Sequence, residues 1–474
     1  MTQSPQRPNI ILIMTDQQRG DCLGIEGHPA LITPRLDEIA TSGVRFSHAY
    51  ATCPSCIAAR RSILSGQFPQ THGMVGFQNG TDWHPQATLP GTLSDAGYQT
   101  VMVGRPMHQH PQRKRYGYDQ MIFTGDLSSG SQGDGQGHGL TGNSWTARPW
   151  HLDETLHPTY QTVTEALHFM KTWRDPTAPL FMTLSFLAPH PPLCPPAFYM
   201  DRYLRMDLPD QVIGDWAQPP NVPGGPPNRT DRGFQVDDDR VHLTGEALRS
   251  CRAAYYALIN HVDDQISRFL CGLGTDPMTG RSRLDNTIVL FTSDHGEMLG
   301  DHYLYRKTYP YEASARIPMM IQAPPAMGID PGQIKDVPVC LEDIMPTLLD
   351  MAGVPIPDSV EGRSLLPLMQ NKTQDWREFL HGEHGNCYGE HQSNHYLTDG
   401  RIKYVWYTHS GQEQLFDLVT DPDECKNLAP LPEHAPLLAL WHDRLVEQLK
   451  DRPEGFSDGK NLIAGIPHGA VVPR

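Results

Sequence analysis

The sequence predicts an α/β protein with a mostly parallel central sheet flanked by helices and a smaller C-terminal α+β lobe. Three observations predict this fold: short continuous apolar runs, amphipathic runs that alternate with them, and a change to short strand-like pieces after residue 370. We expect an N-terminal α/β domain over residues 1–370 and a C-terminal subdomain over 371–474, with a small antiparallel sheet and a terminal helix.

The apolar runs are typical of strands that are buried on both faces. NIILIMT, from Asn9 to Thr15, stops at a polar pair, and TIVLFTS, from Thr287 to Ser293, does the same. QTVMVG and LFMTLSFLA predict two further buried strands.

Helical patterns lie between these runs. PRLDEIATSG is short, HPTYQTVTEALHFMKTWR is longer, and ALRSCRAAYYALINHVDDQISRFLCGL repeats apolar residues over several turns. Strands that alternate with helices indicate a parallel sheet. The C-terminal lobe contributes the strand-like pieces RIKYVWYTH and QEQLFDLV and then a helix, APLLALWHDRLVEQL.

Two long segments lack periodicity. Residues 124–150 are rich in glycine and serine, and residues 217–233 are rich in proline. Both predict long loops, and the first is either a mobile loop near a site or a plain surface insertion. Substrate specificity is expected to lie in these insertions and in the C-terminal lobe.

Charge and composition exclude some classes of partner. The 474 residues carry 38 basic and 54 acidic side chains, a formal net charge of −16. This balance disfavours nucleic acid or an anionic membrane as the main partner, although it allows a local cationic pocket. We expect no membrane partner, since no apolar run approaches the roughly 20 residues of a membrane span.

The N-terminus shows no signal-peptide pattern, and nine cysteines, an odd number, suit a reducing compartment, so a cytoplasmic enzyme is expected.

Polar pairs follow two of the buried strands. Asp16 and Gln17 follow NIILIMT, and Asp294 and His295 follow TIVLFTS. Ligands of open parallel sheets bind beyond the carboxyl ends of the strands, so these side chains converge if the strands are neighbours. Oxygen donors with one imidazole suit a divalent cation such as Ca²⁺ or Mn²⁺. The alternative is that each pair merely caps the helix that follows it.

The segment CPSCIAARRSILSG allows several interpretations. The Cys53-x-x-Cys56 spacing suggests a redox or zinc module, but no second pair follows at ligand spacing. Cys56 is followed by Arg60 at the start of a helix-like run, where backbone amides favour an anion. The alternative is a buried structural cysteine.

Several motifs in order resemble the type I sulfatases of the alkaline phosphatase superfamily, nearly from end to end. They are NIILIMTDQQRGDCLG, CIAARRSILSGQFPQTHG, APHPP, HVDDQISRFL, NTIVLFTSDHGEMLGDHYLYRKTYPYEASARIPMMI, LEDIMPTLLDMAGVPIPDSVEGRSLLPLM and QLFDLVTDPDECKNLA. The resemblance implies that Cys56 is oxidised to formylglycine. One oxygen of the hydrated aldehyde attacks sulfur and forms a covalent sulfated enzyme, and the second hydroxyl then lets sulfate leave.

The resemblance also implies roles for individual residues. Arg60 holds the diol, Lys307 contacts the sulfate and its bridging oxygen, and His190 assists departure of the alcohol. One divalent cation, Ca²⁺ before Mn²⁺ or Mg²⁺, is bound by Asp16, Gln17, Asp294, His295 and an oxygen of modified residue 56.

Two positions depart from the family pattern. Ala58 stands where the signature has proline, which bears on whether the formylglycine-generating machinery accepts this chain. The usual Gly-Lys-x-His is replaced by a segment that contains Arg105 and His108, which we assign to the pocket, with His110 as a competitor.

The resemblance therefore predicts hydrolysis of a small anionic sulfate monoester to an alcohol and inorganic sulfate. One alternative is a phosphonate monoester or phosphodiester hydrolase of the same superfamily. Another is an inactive anion-binding homologue in which Cys56 stays unmodified. A homo-oligomer is possible, and the histidine-rich run from His381 to Tyr396 either lines the substrate entrance or has no catalytic role.

Overall fold

The computed structural model describes residues 7–124, 140, 143–220, 239–275, 280, 282–372 and 375–473. Most of the expected loop at 124–150, and the part of the loop at 217–233 that follows residue 220, lie outside these residues. The predictions made for those segments stay predictions.

The strands of the described residues are, in chain order, β1 (Asn9–Asp16), β2 (Val44–Phe46), β3 (Ala49–Tyr50), β4 (Gln99–Gly104), β5 (Gln120–Phe123), β6 (Leu180–Pro189), β7 (Thr287–Ser293), β8 (Met319–Gln322), β9 (Gln333–Lys335), β10 (Val339–Cys340), β11 (Leu380–His384), β12 (Asn394–Thr398), β13 (Ile402–Tyr407) and β14 (Glu413–Asp417). The α-helices are α1 (Pro34–Thr41), α2 (Cys56–Ser65), α3 (Pro69–His72), α4 (Leu89–Asp95), α5 (Pro158–Thr172), α6 (Ala197–Leu204), α7 (Gly245–Gly272), α8 (Glu312–Ala315), α9 (Ile344–Met351), α10 (Leu366–Met369) and α11 (Ala435–Leu449).

The main sheet has eight strands in the order β5-β4-β6-β1-β7-β8-β2-β9. Its centre is parallel: β1 lies between β6 and β7 and pairs in parallel with both. Only β8 runs against its neighbours, β7 and β2. The predicted fold class, a mostly parallel sheet flanked by helices, is confirmed.

Alternate residues of β1 point into two separate cores, because successive side chains of a strand face opposite sides of the sheet. Ile11 and Ile13 pack on the side of α5 and α7. Ile10, Leu12 and Met14 pack on the other side, against α2 and α9. Covering both faces with helices explains why this strand reads as one continuous apolar run.

The C-terminal lobe is a four-stranded antiparallel sheet in the order β11-β12-β13-β14. The terminal helix α11 covers one face through Trp441 and Leu445, which pack with Tyr404 and Trp406. The other face meets the main domain, where Tyr396 and other residues of the small sheet join a cluster that includes Tyr50. The small sheet and terminal helix match the expected lobe, and the division at residue 370 stays a prediction.

Within the described part of the chain, no helix is both long enough and apolar enough to cross a bilayer.

Candidate active site

The two polar pairs meet at one edge of the main sheet. β1 and β7 are parallel, with Thr15 opposite Ser293, so Asp16 and Asp294 leave the sheet side by side. Gln17 then turns sharply, with φ of 71°, and its backbone N–H donates to Oδ1 of Asp294 over 3.1 Å. The convergence expected from the strand ends is present.

Helix α2 brings Cys56 to the same edge. The preceding residue, Ser55, is extended at φ −156° and lets the helix begin at Cys56, and Gly66 ends the helix in a left-handed conformation at φ 65°. Arg60 lies one turn after Cys56, so both side chains leave the same face of the helix. The Cys56 side chain is buried, with a residue exposure of 1%.

The Cys56 thiol is surrounded by three candidate site residues. Its Sγ lies 3.1 Å from Nε2 of His295, 3.2 Å from Nζ of Lys307 and 3.8 Å from Oδ1 of Asp16. Burial and then Asp16 raise the pKa of this thiol, but Lys307 and His295 outweigh them, and the pKa falls below its ordinary value. Residue 56 therefore lies in surroundings that favour an anion.

Four of these side chains form a compact set of metal donors. One donor atom each from Asp16, Cys56, Asp294 and His295 lies within 4.8 Å of the others, and all four residues are buried. The ring of His295 directs Nε2 toward the cluster, because Nδ1 lies 2.9 Å from the carbonyl of Gly296 and donates to it. Two buried carboxylates and an oriented imidazole fit a divalent cation.

Gln17 reaches the cluster through its amide. Its Oε1 accepts a hydrogen bond from Nζ of Lys307 over 2.8 Å, and its Nε2 donates to Glu297. Glu297 also accepts from the backbone N–H groups of Leu299 and Arg306, and burial raises its pKa. The sequence analysis did not single out Glu297, although it stands three residues after Asp294 in the same motif.

Arg60 is fully buried and joins the two carboxylates. Its Nη2 donates to Asp16 and its Nε donates to Asp294, each over 2.9 Å. Its Nη1 donates to Oγ of Ser185 over 3.1 Å. The guanidinium therefore positions the carboxylates, and the predicted contact with the oxygens of residue 56 stays a prediction.

Arg105 reaches Asp16 from the end of β4. Its Nε forms a close ion pair with Oδ2 of Asp16 at 2.7 Å, without the alignment of a hydrogen bond. Gly104 lets the end of β4 lie close to β6: at φ 110°, an added Cβ would lie 2.0 Å from the carbonyl oxygen of Ser185. The arginine that replaces the family lysine thus lies in the site.

Two of the three candidate histidines line the pocket. His108 lies 3.2 Å from Nη2 of Arg105, whereas His110 is exposed and does not line the pocket. Nδ1 of His190 lies 2.5 Å from the carbonyl of Pro191. Burial holds the pKa of both His108 and His190 well below the ordinary value, assisted by Arg105 and Lys307 respectively, so both rings are neutral at pH 7.

The pocket above Cys56 has a volume of about 90 Å³. Its lining includes residues that the sequence analysis did not identify: Phe77, Asn143, Arg306 and Tyr388. The guanidinium of Arg306 lies 5.2 Å from the centre of the Tyr388 ring. Arg306 adjoins Lys307 in sequence, and Tyr388 lies in the histidine-rich run, so that run does contribute to the pocket lining.

Positive side chains concentrate at this pocket in a chain whose net charge is −16. Arg105, Arg306 and Lys307 line it, beside the buried donor cluster. A cationic pocket at the carboxyl edge of a parallel sheet, beside a buried thiol and a set of metal donors, suits the class of hydrolases that act on small anionic esters.

Comparison with known proteins agrees with this class. The sequence model of the family named Sulfatase matches residues 8–354, and a model named N-sulphoglucosamine sulphohydrolase, C-terminal, matches residues 300–451. An arylsulfatase of Clostridium perfringens is 41% identical over 97% of this chain and 98% of its own length. The multifunctional alkaline phosphatase superfamily protein PehA of Trinickia caryophylli is 29% identical over 95% of this chain and 99% of its own length.

Solved structures share the fold. A protein described in complex with its substrate, D-glucosamine-2-N,6-O-disulfate, superposes with a TM-score of 0.76 at 24% identity, over 94% of this chain and 98% of its own. The phosphonate monoester hydrolase of Agrobacterium radiobacter gives a TM-score of 0.74 at 24% identity, over 93% and 95%.

The chain belongs to the sulfatase family of the alkaline phosphatase superfamily. It is a sulfuric ester hydrolase.

Proposed function

We propose that the chain hydrolyses a small sulfate monoester to an alcohol and inorganic sulfate, through a formylglycine made from Cys56 and one divalent cation. The alcohol keeps the bridging oxygen, because the S–O bond of the substrate breaks when a hydrate oxygen attacks sulfur. Sulfate then leaves with that hydrate oxygen, and one molecule of water is consumed in rehydrating the aldehyde. The observation that best supports this proposal is the position of Cys56, with its Sγ 3.2 Å from Lys307 inside a buried cluster of metal donors.

Formylglycine, once hydrated, supplies a hydroxyl that attacks sulfur and a second hydroxyl that lets sulfate leave. The cation supplies Lewis-acid stabilisation of negative charge. Asp16, Gln17, Asp294 and His295 would hold it together with residue 56. Ca²⁺ is our first candidate, with Mn²⁺ and Mg²⁺ as alternatives, because oxygen donors outnumber the single imidazole. Elemental analysis of the purified enzyme identifies the ion.

Lys307 and Arg105 would bind the non-bridging oxygens of the sulfate group, and Lys307 would also contact the bridging oxygen, since both residues line the pocket and carry positive charge. Fixed positive groups that face developing negative charge are often the largest contribution to catalysis. Arg60 would act indirectly, because it holds Asp16 and Asp294 in place.

His190 would protonate the departing alcohol. Its Nδ1 donates to the carbonyl of Pro191, which leaves Nε2 as the ring nitrogen available to the pocket. An anionic ester bound beside the ring raises the pKa of His190 from its low value, because a nearby negative charge favours the imidazolium. His190 would therefore act through Nε2 at the bridging oxygen.

Maturation would take place before folding is complete. Cys56 is only 1% exposed and Ala58 is fully buried in α2, so a modifying enzyme has no access to this segment in the folded chain. We propose that the formylglycine-generating machinery accepts alanine at position 58.

An aryl or similarly small alcohol is the proposed leaving group. The pocket of about 90 Å³ has Phe77 and Tyr388 in its lining, which suits contact with an aromatic ring. The 41% identity to a protein named arylsulfatase supports the same substrate class.

The rival function is hydrolysis of phosphonate monoesters or phosphodiesters, which we consider because the chain shares its fold with the phosphonate monoester hydrolase of Agrobacterium radiobacter. The two are separated by kcat/KM on a sulfate monoester, a phosphodiester and a phosphonate monoester that share 4-nitrophenol as the leaving group. We expect the sulfate to give the highest value. A higher value for the phosphonate or the diester would favour the rival, and no turnover of any of the three would favour an inactive homologue.

We also propose a cytoplasmic location and leave assembly into a homo-oligomer as an expectation. The free thiols of Cys22, Cys53 and Cys251, together with an odd total of nine cysteines, support a reducing compartment. Cell fractionation tests the location, and light scattering tests the oligomeric state.

A further inference from the structure

A second cluster of buried metal donors lies in the C-terminal lobe. It consists of Glu383 on β11, His395 on β12 and His468 near the end of the chain. We propose that these three residues bind a divalent cation of the zinc type, separate from the catalytic ion. This proposal does not depend on the proposed function.

The three donors are held close together by the sheet and by the C-terminal segment. Glu383 and His395 are directly opposite each other in the antiparallel β11–β12 pair. One donor atom of each of the three residues lies within 4.8 Å of the others. Nε2 of His468 is 3.3 Å from Oε2 of Glu383, and two ligands of a tetrahedral zinc ion at its usual bond lengths are also about 3.3 Å apart.

Three of the four imidazole nitrogens of this cluster lack the hydrogen bonds that burial demands. His395 is 0% exposed and His468 is 3% exposed. Neither Nε2 of His395 nor either ring nitrogen of His468 has an aligned hydrogen-bond partner, although Glu383 is within ion-pair distance of His468. Buried polar atoms without partners are costly, and a cation between the three donors would satisfy both Nε2 atoms at once.

A neighbouring histidine orients His395 as a ligand. Nδ1 of His395 lies 3.0 Å from Nε2 of His381, and this hydrogen bond leaves Nε2 of His395 directed at the cluster. Ligating histidines usually have such an outer partner. With Nδ1 of His395 engaged by His381, Nε2 keeps the lone pair that a metal ligand needs.

The charge around the cluster allows a cation. Arg452 donates to both oxygens of Glu383 over 2.7 and 2.8 Å, but it also donates to Glu454 over 2.6 and 3.0 Å. Two carboxylates and one guanidinium leave one negative charge in this group. The alternative occupant of the space is a proton on His468 that forms a histidinium–Glu383 ion pair, and the experiment must separate the two.

The site would link the C-terminal segment to β11, the strand that contacts the residues just before Cys56. The N–H of Glu383 donates to the carbonyl of Thr52 over 2.7 Å, shortly before Cys56 in the chain. The N–H of Asn386 donates to the carbonyl of His468 over 2.7 Å. A cation bound by Glu383 and His468 would therefore tie the C-terminal segment to β11, and β11 in turn contacts Thr52.

Zinc-edge anomalous diffraction from crystals of the full chain, grown after chelation and soaked in ZnCl₂, locates the ion directly. We expect a peak between Glu383, His395 and His468, whether or not a second peak appears at the catalytic cluster. A map with no peak among these three side chains overturns the proposal and leaves the histidinium pair.

Zinc stoichiometry after dialysis against ZnCl₂ gives an independent measurement in solution. His468→Gln should bind one equivalent of Zn²⁺ fewer per chain than the wild type, and the control His168→Gln, at an exposed helical position, should bind the same number as the wild type. Equal stoichiometry in a folded His468→Gln variant contradicts the proposal. If that variant does not fold, the diffraction result on the wild type decides.

Discussion

Replacing Lys307 with methionine removes the positive charge from the pocket while keeping a side chain of similar length. Nζ of Lys307 lies 3.2 Å from Sγ of Cys56 and 2.8 Å from Oε1 of Gln17, and the residue is 6% exposed. A unit charge about 4 Å from a transferring anionic group contributes about 4 kcal/mol at an effective dielectric constant of about 20. Loss of one such stabilising group typically lowers kcat by about 100-fold to 1,000-fold.

The assay compares kcat/KM of wild type and Lys307→Met on 4-nitrophenyl sulfate and on phenyl sulfate, with metal content measured in parallel because Lys307 also contacts Gln17. We expect a loss of about 100-fold to 1,000-fold, larger on phenyl sulfate, since the poorer leaving group places more charge on the bridging oxygen. The control Lys171→Met, at an exposed position in the last turn of α5, should match the wild type. A loss below about tenfold on both esters would refute the assigned role of Lys307.

Two further predictions concern stability, measured by urea unfolding. Asp301→Asn should lower the free energy of unfolding by about 3–5 kcal/mol. The reason is that the buried Arg19 and Arg252, each 2.6 Å from Asp301, lose their shared carboxylate. A loss under about 1 kcal/mol, the value typical of an exposed pair, would contradict this prediction. Burial, followed by Arg61, lowers the pKa of His72 from 6.5 to about 3. As the pH is lowered from 7 to 4, the unfolded chain therefore binds a proton that the folded chain excludes, and the free energy of unfolding decreases. The wild type should lose about 3 kcal/mol more over this interval than His72→Gln, and parallel pH profiles would contradict the assignment.

The sequence predicted the centre of the fold because the physical constraint there is local. A strand with helices on both faces must be apolar throughout, and β1 and β7 read that way. Parallel strands end at one edge, so the sequence alone predicts that the polar pairs that begin at Asp16 and Asp294 lie together. Cys56, Lys307 and His190 depended instead on resemblance to a family.

The remaining site residues are set by packing between distant segments, which periodicity does not report. Tyr388 enters the pocket from the C-terminal lobe, and His468 meets β11 only through the path of the last residues of the chain. Arg60 was expected to contact residue 56, but its guanidinium forms ion pairs with Asp16 and Asp294, two carboxylates that would otherwise repel each other. The antiparallel placement of β8 likewise has no local pattern that predicts it.

Whether residue 56 of the working enzyme is an aldehyde decides how this protein cleaves its ester. Mass spectrometry of the peptide that contains residue 56, recorded with and without a carbonyl-trapping hydrazine, reports the oxidation state in the same preparation whose turnover is measured. We predict that the trapped fraction equals the active fraction. A fully active enzyme whose peptide carries only an untrapped cysteine thiol would contradict the mechanism, even with the surrounding residues in place.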